Sequence, residues 1–525
     1  SNNRAEWNCM VIGVRQLGGI VCLVYPTISE SESKFIFNDA EVKYVFVSDT
    51  EILKKVNAIK QEVPSLKGIY SFNPIEGVKH WSEILELGNP QRMTEVEARK
   101  NAVKETDLAT IIYTSGTTGN PKGVMISHFN LISNAKNSIE RLPVGSDAKA
   151  LSFLPLCHVY ERMLTYLFQI TGVSVYYAES MDTIGENIRE VKPEIFAAVP
   201  RLIEKVYDRI VAAGSAQKGI KKALFFWALN LGLRFELNGA NGWWYEFQLG
   251  IANKIIFNKW REALGGNVKA IASGSAPLQP RLARVFMAAK IPVMEGYGLT
   301  ETAVVVSVNC EKNKGVMFGS VGRPINSVQV KIAEDGEILI KSPSVMMGYY
   351  KRPDLTAEVM DAEGWFHTGD IGEIVNTDFL KITDRKKEIF KTSGGKYVAP
   401  QLLENKFKES KFIEQVMVIG EGKNFPAAIV QPAFSFLKDW CERKGIAYTN
   451  NADMIKHPEI IARIQEDIDS YNQDFGKWEQ VKKIELVANE WSINSGELTP
   501  TLKLKRKFIL EKNKDLVERI YGKGV

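Results

Sequence analysis

Tyr113-Thr-Ser-Gly-Thr-Thr-Gly-Asn-Pro-Lys-Gly123 directly follows a short apolar run, Ala109-Thr-Ile-Ile112. The run predicts a buried strand, and the small residues after it allow the backbone to approach a ligand closely. Successive backbone N–H groups in such a turn form an anion-binding nest, to which the hydroxyl groups and Lys122 add donors and positive charge. The stretch therefore predicts a polyphosphate-binding loop at the end of a strand. A purely structural turn of glycine and threonine is the alternative interpretation.

The spacing within this loop excludes the nucleotide-binding loop of the P-loop enzymes. That loop requires a serine or threonine directly after its lysine, whereas Gly123 follows Lys122 in this chain.

Strand-like and helix-like runs alternate around the loop. Val42-Lys-Tyr-Val-Phe-Val47 is typical of a strand, and Ser29 with Glu32 three residues later predicts a capped helix that ends near Asp39. Apolar runs at Ile195-Phe-Ala-Ala-Val199 and nearby repeat the strand pattern. Such alternation predicts βαβ units and a mainly parallel sheet.

The composition is that of an ordinary globular protein. Of 525 residues, 45% are hydrophobic and 25% are charged, which excludes a disordered or collagen-like chain. The length predicts about two to four domains. The net charge of +5 is small for this length and does not indicate a partner nucleic acid.

The number and spacing of the cysteines indicate a reducing cellular compartment. They are odd in number and widely separated, at Cys9, Cys22, Cys157, Cys310 and Cys441. This spacing predicts neither a disulfide framework nor a zinc site, so we expect a reducing, cytoplasmic environment. No run reaches the ~20 apolar residues that span a bilayer. Because the chain opens abruptly at Ser1 without a methionine, we expect that native residues precede it.

An aromatic-rich segment lies between residues 215 and 260, and residues 225–260 alone contain ten aromatic side chains. Interrupting charges argue against a membrane-spanning helix. Two interpretations stay open: a helical packing core, or a wall of a large apolar pocket.

From Gly319 the pattern changes to short strands and turns. Val328-Gln-Val-Lys-Ile332 and Glu337-Ile-Leu-Ile340 flank an Asp-Gly pair, which predicts a hairpin. The charged run Asp384-Arg-Lys-Lys-Glu388 and the glycine pair after it precede a new α/β segment. We therefore predict a large domain over residues 1–383, β-rich from about 319, and a small α+β domain over residues 384–525.

Five motifs in order resemble those of the AMP-forming acyl-adenylate superfamily, which contains acyl-CoA synthetases, peptide-synthetase adenylation domains and luciferases. The loop at 113–123 is similar to its phosphate loop, and Met294-Glu-Gly-Tyr-Gly-Leu-Thr-Glu-Thr302 to its adenine-and-magnesium motif. Gly364-Trp-Phe-His-Thr-Gly-Asp370 resembles the ribose motif. Ile382-Thr-Asp-Arg-Lys-Lys-Glu-Ile-Phe-Lys391 resembles the interdomain hinge, and Leu498-Thr-Pro-Thr-Leu-Lys-Leu-Lys-Arg506 the C-terminal lysine motif. The resemblance runs from Arg4 to the C-terminus.

The resemblance implies an α/β fold with a mobile small domain, and it assigns roles residue by residue. The residues that it assigns to nucleotide and coenzyme binding are Thr114, Ser115, Gly116, Thr117, Thr118, Gly119, Lys122, Gly274, Ser275, Ala276, Pro277, Glu295, Gly296, Tyr297, Gly298, Thr300, Asp370, Arg385, Lys391 and Gly395.

The chemistry of these side chains fits their implied roles. Tyr297 offers a flat face for a purine ring, although an ordinary core tyrosine is the alternative. Asp370 can accept both ribose hydroxyl protons, and Arg385 can donate to ribose or phosphate, although a solvated charge run would also explain that arginine. Glu301 supplies the hard oxygen that Mg2+ prefers, and the resemblance implies that Thr114 and Glu301 hold this metal.

The implied reaction has two steps. A carboxylate attacks the α-phosphorus of MgATP to give acyl-AMP and pyrophosphate, and the thiol of coenzyme A then displaces AMP. Lys503, His158 and Glu301 are the implied catalytic residues. The small domain of the family swings between the steps, exchanging Lys503 for Gly395 at the site, with its hinge near Asp384–Lys387.

Within the superfamily, Phe153-Leu-Pro-Leu-Cys-His-Val-Tyr-Glu-Arg162 resembles long-chain fatty acyl-CoA synthetases, because a bulky Glu161-Arg162 pair stands where most members have glycine. The predicted substrates are a long-chain fatty acid, ATP and coenzyme A. The alternatives are an enzyme that loads an acyl carrier protein, a medium-chain or aryl acid–CoA ligase, and a non-catalytic acyl- or nucleotide-binding relative. A weak peripheral contact of the basic C-terminal stretch with a membrane and an oligomeric state are compatible with the sequence.

Overall fold

A computed structural model of the chain describes residues 2–114, 121–493, 495–499 and 502–522. The predicted binding residues Ser115, Gly116, Thr117, Thr118 and Gly119 lie outside these ranges.

The chain forms two units. The first unit comprises Ser1–Lys331, Leu339–His367 and Asn376–Leu380, and the second comprises Ile332–Ile338, Thr368–Val375 and Lys381–Val525. The domain boundary at residue 384 stays a prediction.

The helices of the first unit follow in chain order: α1 (Ala5–Gln16), α2 (Glu30–Asp39), α3 (Thr50–Ile59), α4 (Ser82–Glu86), α5 (Met93–Ala102), α6 (His128–Ser138), α7 (Val159–Thr171), α8 (Ile184–Val191), α9 (Pro200–Ser215), α10 (Gly219–Leu233), α11 (Trp243–Ala252), α12 (Asn258–Ala263), α13 (Pro280–Ala288) and α14 (Pro353–Val359). A π-helical segment, Asn253–Phe257, joins α11 to α12. Short 3-10 turns occupy Lys60–Glu62, Pro90–Arg92, Ile139–Arg141, Leu237–Gly239, Thr300–Thr302 and Lys312–Lys314.

The strands up to residue 385 are β1 (Val21–Leu23), β2 (Tyr44–Val47), β3 (Gly68–Ser71), β4 (Lys79–His80), β5 (Leu108–Thr114), β6 (Lys122–Ser127), β7 (Lys149–Ser152), β8 (Ser174–Tyr177), β9 (Ile195–Ala198), β10 (Ala270–Ser273), β11 (Val293–Leu299), β12 (Val304–Val308), β13 (Arg323–Pro324), β14 (Gln329–Ile332), β15 (Glu337–Lys341), β16 (Gly348–Tyr349), β17 (Phe366–Val375) and β18 (Phe379–Arg385). Of these, β14, β15, β17 and β18 contain residues of both units.

The largest sheet of the first unit has seven strands in the order β13–β12–β11–β10–β9–β7–β8. Neighbouring strands from β8 through β7, β9 and β10 to β11 run parallel, and β12 and β13 run antiparallel. The strands are short and apolar, and β9 is buried over its whole length, as expected where helices cover both faces of a parallel sheet. The predicted α/β class with a mainly parallel sheet is confirmed.

Two smaller sheets complete the strands of this unit. In the order β1–β5–β6–β16, β5 and β6 form an antiparallel pair that flanks the predicted phosphate loop, and β16 pairs with β6. Strands β2, β3 and β4 form a parallel sheet. The predicted cap of α2 is confirmed, because the Ser29 hydroxyl accepts from the Glu32 N–H while the Glu32 carboxylate accepts from the Ser29 N–H.

The aromatic-rich segment folds as α10, α11, the π-helical segment and α12, which confirms its helical prediction. Its aromatic side chains differ in their exposure. Phe257 and Trp260 are buried with ring centroids 4.9 Å apart, whereas Trp243, Trp244 and Phe247 are exposed. An exposed group was not expected from either interpretation of the sequence.

The second unit is smaller, as predicted. Its helices are α15 (Pro400–Phe407), α16 (Phe434–Lys444), α17 (Asn451–Met454), α18 (Pro458–Asn472), α19 (Arg506–Lys512) and α20 (Lys514–Tyr521), and its further strands are β19 (Phe390–Lys391), β20 (Tyr397–Val398), β21 (Ile413–Ile419), β22 (Ala427–Pro432) and β23 (Lys483–Leu486). Strands β21, β22 and β23 form one sheet, and an apolar cluster packs this sheet against α15, α16 and α18. Within the described ranges, no helix is long and apolar enough to cross a membrane.

Candidate functional site

The carboxyl edge of the parallel sheet gathers the first group of predicted site residues. Strand β10 ends at Ser273, and the loop Gly274–Pro277 follows it. The neighbouring strand β11 runs parallel to β10 with Ser273 opposite Glu295 and continues through Gly296–Gly298. Ligands of open α/β sheets bind at the carboxyl ends of the strands. The structure therefore brings the two predicted adenine segments to one edge.

Glu295 holds this edge together. Its carboxylate is buried and accepts a hydrogen bond from the Leu278 N–H at 3.0 Å, one residue beyond the loop Gly274–Pro277. Burial raises the pKa of Glu295 to about 8, because a buried carboxylate is less stable in its charged form. In this structure Glu295 fixes the path of the loop by joining β11 to the start of the following turn.

Gly298 is required by the course of the backbone. A Cβ atom built at this position would lie 1.5 Å from the carbonyl oxygen of Val304, and no side-chain adjustment can relieve a clash with backbone. The register between β11 and β12 shifts between Tyr297 and Gly298. Glycine therefore lets β11 bulge against β12 directly beside the predicted purine-stacking residue, Tyr297.

Glu301 lies two residues beyond β11, in the 3-10 turn that also contains Thr300. Its Oε1 accepts a hydrogen bond from the hydroxyl of Tyr349 at 2.9 Å, and its backbone carbonyl accepts from the Met346 N–H at 2.7 Å. Burial and the neighbouring Glu301 carboxylate raise the pKa of Tyr349, so the phenol stays a proton donor. Tyr349 thus orients the carboxylate that we predicted as a metal ligand.

Tyr349 also connects Glu301 to the hairpin of β5 and β6, which flanks the predicted phosphate loop and is called the phosphate-loop hairpin below. Strand β16 places Tyr349 opposite Val124 of β6, and Lys122 Nζ lies 5.0 Å from the centroid of the Tyr349 ring. At the end of the hairpin next to the predicted phosphate loop, Thr114 of β5 stands opposite Lys122 of β6. Thr114, Lys122 and Glu301 are therefore linked through β6 and β16.

The residues around Glu301 fit a magnesium ion. Mg2+ is bound in nucleotide enzymes by one or two protein oxygens, with water and phosphate completing its octahedron. Glu301 offers a partly buried carboxylate, already oriented by Tyr349, and Thr114 offers a hydroxyl. Among the described residues there is no cluster of three or more histidine, cysteine, aspartate or glutamate side chains that could hold a metal ion.

His158 begins α7 as its N-cap. Its Nδ1 accepts a hydrogen bond from the Tyr160 N–H at 3.1 Å, so the proton of the neutral ring is on Nε2. The ring meets Tyr25 edge-on with centroids 6.3 Å apart. The helix fixes the tautomer and orientation of this histidine.

Glu161 and Arg162 follow on α7, and both are buried. Burial raises the pKa of Glu161 to about 8 and lowers the pKa of Arg162 to about 10. Arg162 Nε donates to the hydroxyl of Tyr166 at 2.6 Å, and its guanidinium carbon lies 4.5 Å from the Trp7 ring centroid. Arg162, one of the two residues distinctive of the predicted subfamily, is therefore built into the packing between α1 and α7.

Asp370, predicted to bind ribose, and Arg385, predicted to bind ribose or phosphate, come together within the second unit. Arg385 Nε lies 3.1 Å from Asp370 Oδ1, and the Asp370 side chain is almost fully buried while Arg385 is partly exposed. The pair lies on β17 and β18, and the Asp370 N–H donates to the Thr368 hydroxyl at 3.1 Å. The guanidinium of Arg385 and the carboxylate of Asp370 thus form an ion pair between β18 and β17.

Glu337 supports this pair and was not identified from the sequence. Its buried carboxylate accepts from the Gly369 N–H and from Lys386 Nζ, each at 2.8 Å. Glu337 therefore fixes Gly369, the residue before Asp370, and Lys386, the residue after Arg385. An acidic residue in an apolar strand, directly after an Asp-Gly turn, was the only available signal.

Lys391 and Gly395 lie on the short β19–β20 hairpin. Lys391 is exposed, stands opposite Tyr397 and has its Nζ 4.6 Å from that ring centroid. Gly395 has a φ of 75° and donates its N–H to Thr392 at 2.9 Å. The positive φ favours glycine at this position. Without a side chain there, a ligand can approach the backbone of the turn closely.

Lys503 is an exposed residue of a short turn in the second unit. Its N–H donates to the Thr499 hydroxyl at 3.0 Å, and its carbonyl accepts from the Thr499 N–H at 2.8 Å. An isolated β-bridge pairs Leu498 with Leu504. Lys503 therefore lies next to this bridge, shortly before α19 begins at Arg506.

Comparison with protein families identifies both parts of the chain. Residues 1–350 match the AMP-binding enzyme family, and residues 387–524 match the AMP-binding enzyme C-terminal domain.

Individual relatives agree with these matches. A long-chain-fatty-acid–CoA ligase of Mycobacterium bovis is 31% identical over all of this chain and 87% of the relative. The peroxisomal long chain acyl-CoA synthetase 6 of Arabidopsis thaliana is 33% identical over 96% of this chain and 74% of the relative.

Solved structures share the fold. The adenylation domain of a carboxylate reductase from Mycobacterium chelonae superposes with a TM-score of 0.74 at 22% identity, covering 99% of this chain and 79% of that chain. A Mycobacterium tuberculosis fatty acyl CoA synthetase gives a TM-score of 0.58 at 20% identity, covering 98% and 87%. On the matches of its sequence, this chain belongs to the AMP-binding enzyme family of acyl-adenylate-forming ligases.

Proposed function

We propose that this protein is an AMP-forming long-chain fatty acid–CoA ligase. The observation that carries the proposal is the similarity, over essentially the whole chain, to relatives that are named long-chain-fatty-acid–CoA ligases. The Glu161-Arg162 pair on α7 supports the same subfamily. The predicted substrates are ATP, coenzyme A and an unbranched acid of roughly twelve carbons or longer.

In the first half-reaction, a carboxylate oxygen forms a bond to the α-phosphorus of ATP while the bond from that phosphorus to the bridging oxygen breaks. Pyrophosphate leaves with the electron pair. Such a transition state needs positioned positive charge and hydrogen-bond donors more than a general base. We assign this task to the phosphate-loop hairpin with Lys122 and to Lys503.

We assign the binding of the nucleotide to residues that the sequence motifs identify. The edge formed by Gly274–Pro277 and Tyr297 receives the adenine, and the Asp370–Arg385 pair receives the ribose hydroxyls. Thr114 and Glu301 hold Mg2+, which when bound neutralises charge on the phosphate oxygens. Tyr349 keeps the Glu301 carboxylate oriented, and His158 borders the acyl group.

In the second half-reaction, the sulfur of coenzyme A forms a bond to the acyl carbon and the acyl–oxygen bond to AMP breaks. The thiol proton is released to solvent, and AMP leaves as a phosphate anion. We assign the β19–β20 turn with Gly395 to this step. We also propose that the hinge lies at Asp384–Lys387 and separates the two domains at residue 384.

An acyl chain of this length requires a dry channel. Each methylene that leaves water contributes about 0.8 kcal/mol, so a tunnel that encloses ten carbons more would stabilise the complex by several kcal/mol. The buried aromatic residues of α10–α12 and the residues after Val199 are our candidates for its wall.

The acceptor of the acyl group gives a decisive test. AMP and pyrophosphate release should be measured with dodecanoate or a longer acid, first without acceptor, then with coenzyme A, then with a phosphopantetheinylated carrier protein. We expect steady turnover of AMP only with coenzyme A. Turnover only with the carrier protein would support the carrier-loading alternative. Release of AMP and pyrophosphate that depends neither on the acid nor on an acceptor would contradict a ligase.

A further inference from the structure

The exposed aromatic residues of α11 form a continuous apolar stripe. Trp243 is 80% exposed, Trp244 57% and Phe247 56%, and Ile251 and Ile255 are exposed at further intervals of four residues. Residues four apart lie on one face of a helix. We define the exposed stripe as these five residues.

The opposite face of the same helix is packed into the protein. Tyr245, Leu249 and Phe257 are buried, and the Tyr245 hydroxyl donates to the Leu231 carbonyl of α10 at 2.6 Å. The helix is therefore anchored by one apolar face while it presents a second apolar face outward. Monomeric soluble proteins rarely expose such contiguous apolar surface without a partner for it.

The side chains of the exposed stripe are those that favour a lipid interface. Trp243 and Trp244 have ring centroids 5.6 Å apart, and Trp244 stacks on Phe247 at 5.5 Å. Tryptophan is enriched at membrane interfaces because its ring is apolar while its indole N–H can still reach water or a headgroup. Three adjoining rings give a rigid apolar surface.

The charge around the exposed stripe has one dominant sign. Residues 216–263 contain seven lysines and arginines against three glutamates, a net charge of +4 in a chain whose total is +5. Lys254 and Lys259 are exposed on the same helical run, and Lys218, Lys221 and Lys222 are exposed at the start of α10. Glu236 is paired with Arg284 at 3.0 Å. Apolar side chains bordered by lysines are the pattern of helices that lie in the surface of an anionic bilayer.

We propose that the exposed stripe of α11 docks this protein on the surface of an anionic lipid bilayer. The helix lies in the interface and the lysines contact acidic headgroups. This surface differs from the basic C-terminal stretch that the sequence indicated. The proposal does not depend on which acid the enzyme activates.

Vesicle flotation tests the proposal directly. The full chain is mixed with phosphatidylcholine vesicles, with or without about a quarter phosphatidylglycerol, at about 0.1 M and about 0.5 M salt, a change that shortens the screening length about twofold. We expect binding to the anionic vesicles that weakens at high salt. The triple variant Trp243→Ser/Trp244→Ser/Phe247→Ser should lose about tenfold or more in binding, since apolar burial and charge attraction act together at such surfaces.

Two further variants separate the contribution of the lysines to vesicle binding from a general effect of exposed apolar residues. Lys254→Glu/Lys259→Glu should remove the preference for anionic vesicles. Leu87→Ser/Met181→Ser/Trp478→Ser replaces three exposed apolar residues elsewhere and should bind like the unchanged protein. Circular dichroism melting confirms that each variant is folded.

Three outcomes would overturn the proposal. The unchanged protein could fail to bind either vesicle, or the stripe variant could bind as well as the unchanged protein. Sedimentation could show a dimer that becomes a monomer in the stripe variant, in which case the exposed stripe is an interface between two copies of this chain.

Discussion

The hydroxyl of Tyr349 donates a hydrogen bond to Oε1 of Glu301 at 2.9 Å. This contact joins strand β16, which is paired to β6 beside the predicted phosphate loop, to the 3-10 turn that follows β11, the strand of the predicted adenine motif. Two segments that are 48 residues apart in sequence are thereby fixed relative to each other. The relationship gives the predicted metal ligand a defined orientation.

Removing this hydroxyl should weaken the use of MgATP. A hydrogen bond to a charged group contributes about 1.5–3 kcal/mol, so Tyr349→Phe should raise KM for MgATP by about tenfold or more. The Mg2+ concentration for half-maximal rate should rise with it. Tyr350→Phe is the matched control on the adjacent residue. Unchanged Mg2+ dependence in Tyr349→Phe would show that Tyr349 does not position Glu301 for the metal.

Glu301 itself should matter for the metal and not for the adenosine moiety. Glu301→Gln keeps the size of the side chain but removes its charge, and Mg2+ prefers charged oxygen ligands. We expect poorer use of MgATP, measured as kcat/KM, with AMP affinity by calorimetry nearly unchanged. Glu358→Gln, at an exposed site on α14, is the control. An equal loss of AMP affinity would mean that Glu301 supports the nucleotide site as a whole.

Lys503 should act in only one half-reaction. Lys503→Ala should slow the formation of acyl-AMP by orders of magnitude, because it removes the positive charge that stabilises the negative charge developing on the phosphate oxygens. Conversion of supplied acyl-AMP to the thioester should be spared. Lys507→Ala, a neighbouring exposed lysine, controls for general loss of basic charge. If both half-reactions fall equally in Lys503→Ala, the assigned role is wrong.

Asp384 should make stability depend on pH. The side chain is buried and accepts from the N–H groups of Arg385 at 2.6 Å and Gln401 at 3.2 Å, and burial raises its pKa to about 7. An unfolded aspartate has a pKa of about 3.9. Between these values the folded state retains a proton that the unfolded state releases, so stability falls as pH rises through this window.

The Asp384→Asn variant isolates this contribution. Its melting temperature should fall less than that of the unchanged protein between about pH 5 and pH 8, since asparagine has no proton to lose. Asp182→Asn, at an exposed aspartate, should show the same pH profile as the unchanged protein. Parallel profiles for Asp384→Asn and the unchanged protein would contradict a raised pKa at Asp384.

The sequence was sufficient for the sheet class because its signals were local. Ser29 and Glu32 form the expected capping box, and the apolar runs became strands within one or two residues of their expected ends. For the run Val42–Val47, the strand begins only at Tyr44, where its pairing with β3 starts. Hydrophobic runs set which segments are buried, whereas pairing sets where a strand begins and ends.

The supporting residues of the site could not be found in the same way. Tyr349 and Glu337 act on residues that the motifs identify, but they lie in separate strands and carry no motif of their own. Their roles depend on pairing between distant segments, such as β16 with β6. The exposure of Trp243 and Trp244 was hidden for a related reason: an apolar residue in a helix predicts burial, and only the packing of the opposite face shows which side remains exposed.

The proposed long-chain specificity is tested most directly by kcat/KM for coenzyme A-dependent AMP formation across straight-chain acids from acetate to octadecanoate. The proposal predicts that kcat/KM rises with chain length and is greatest at roughly twelve carbons or more, because each methylene that leaves water contributes about 0.8 kcal/mol. A flat profile, or a maximum at acetate or at an aromatic acid included for comparison, would contradict it.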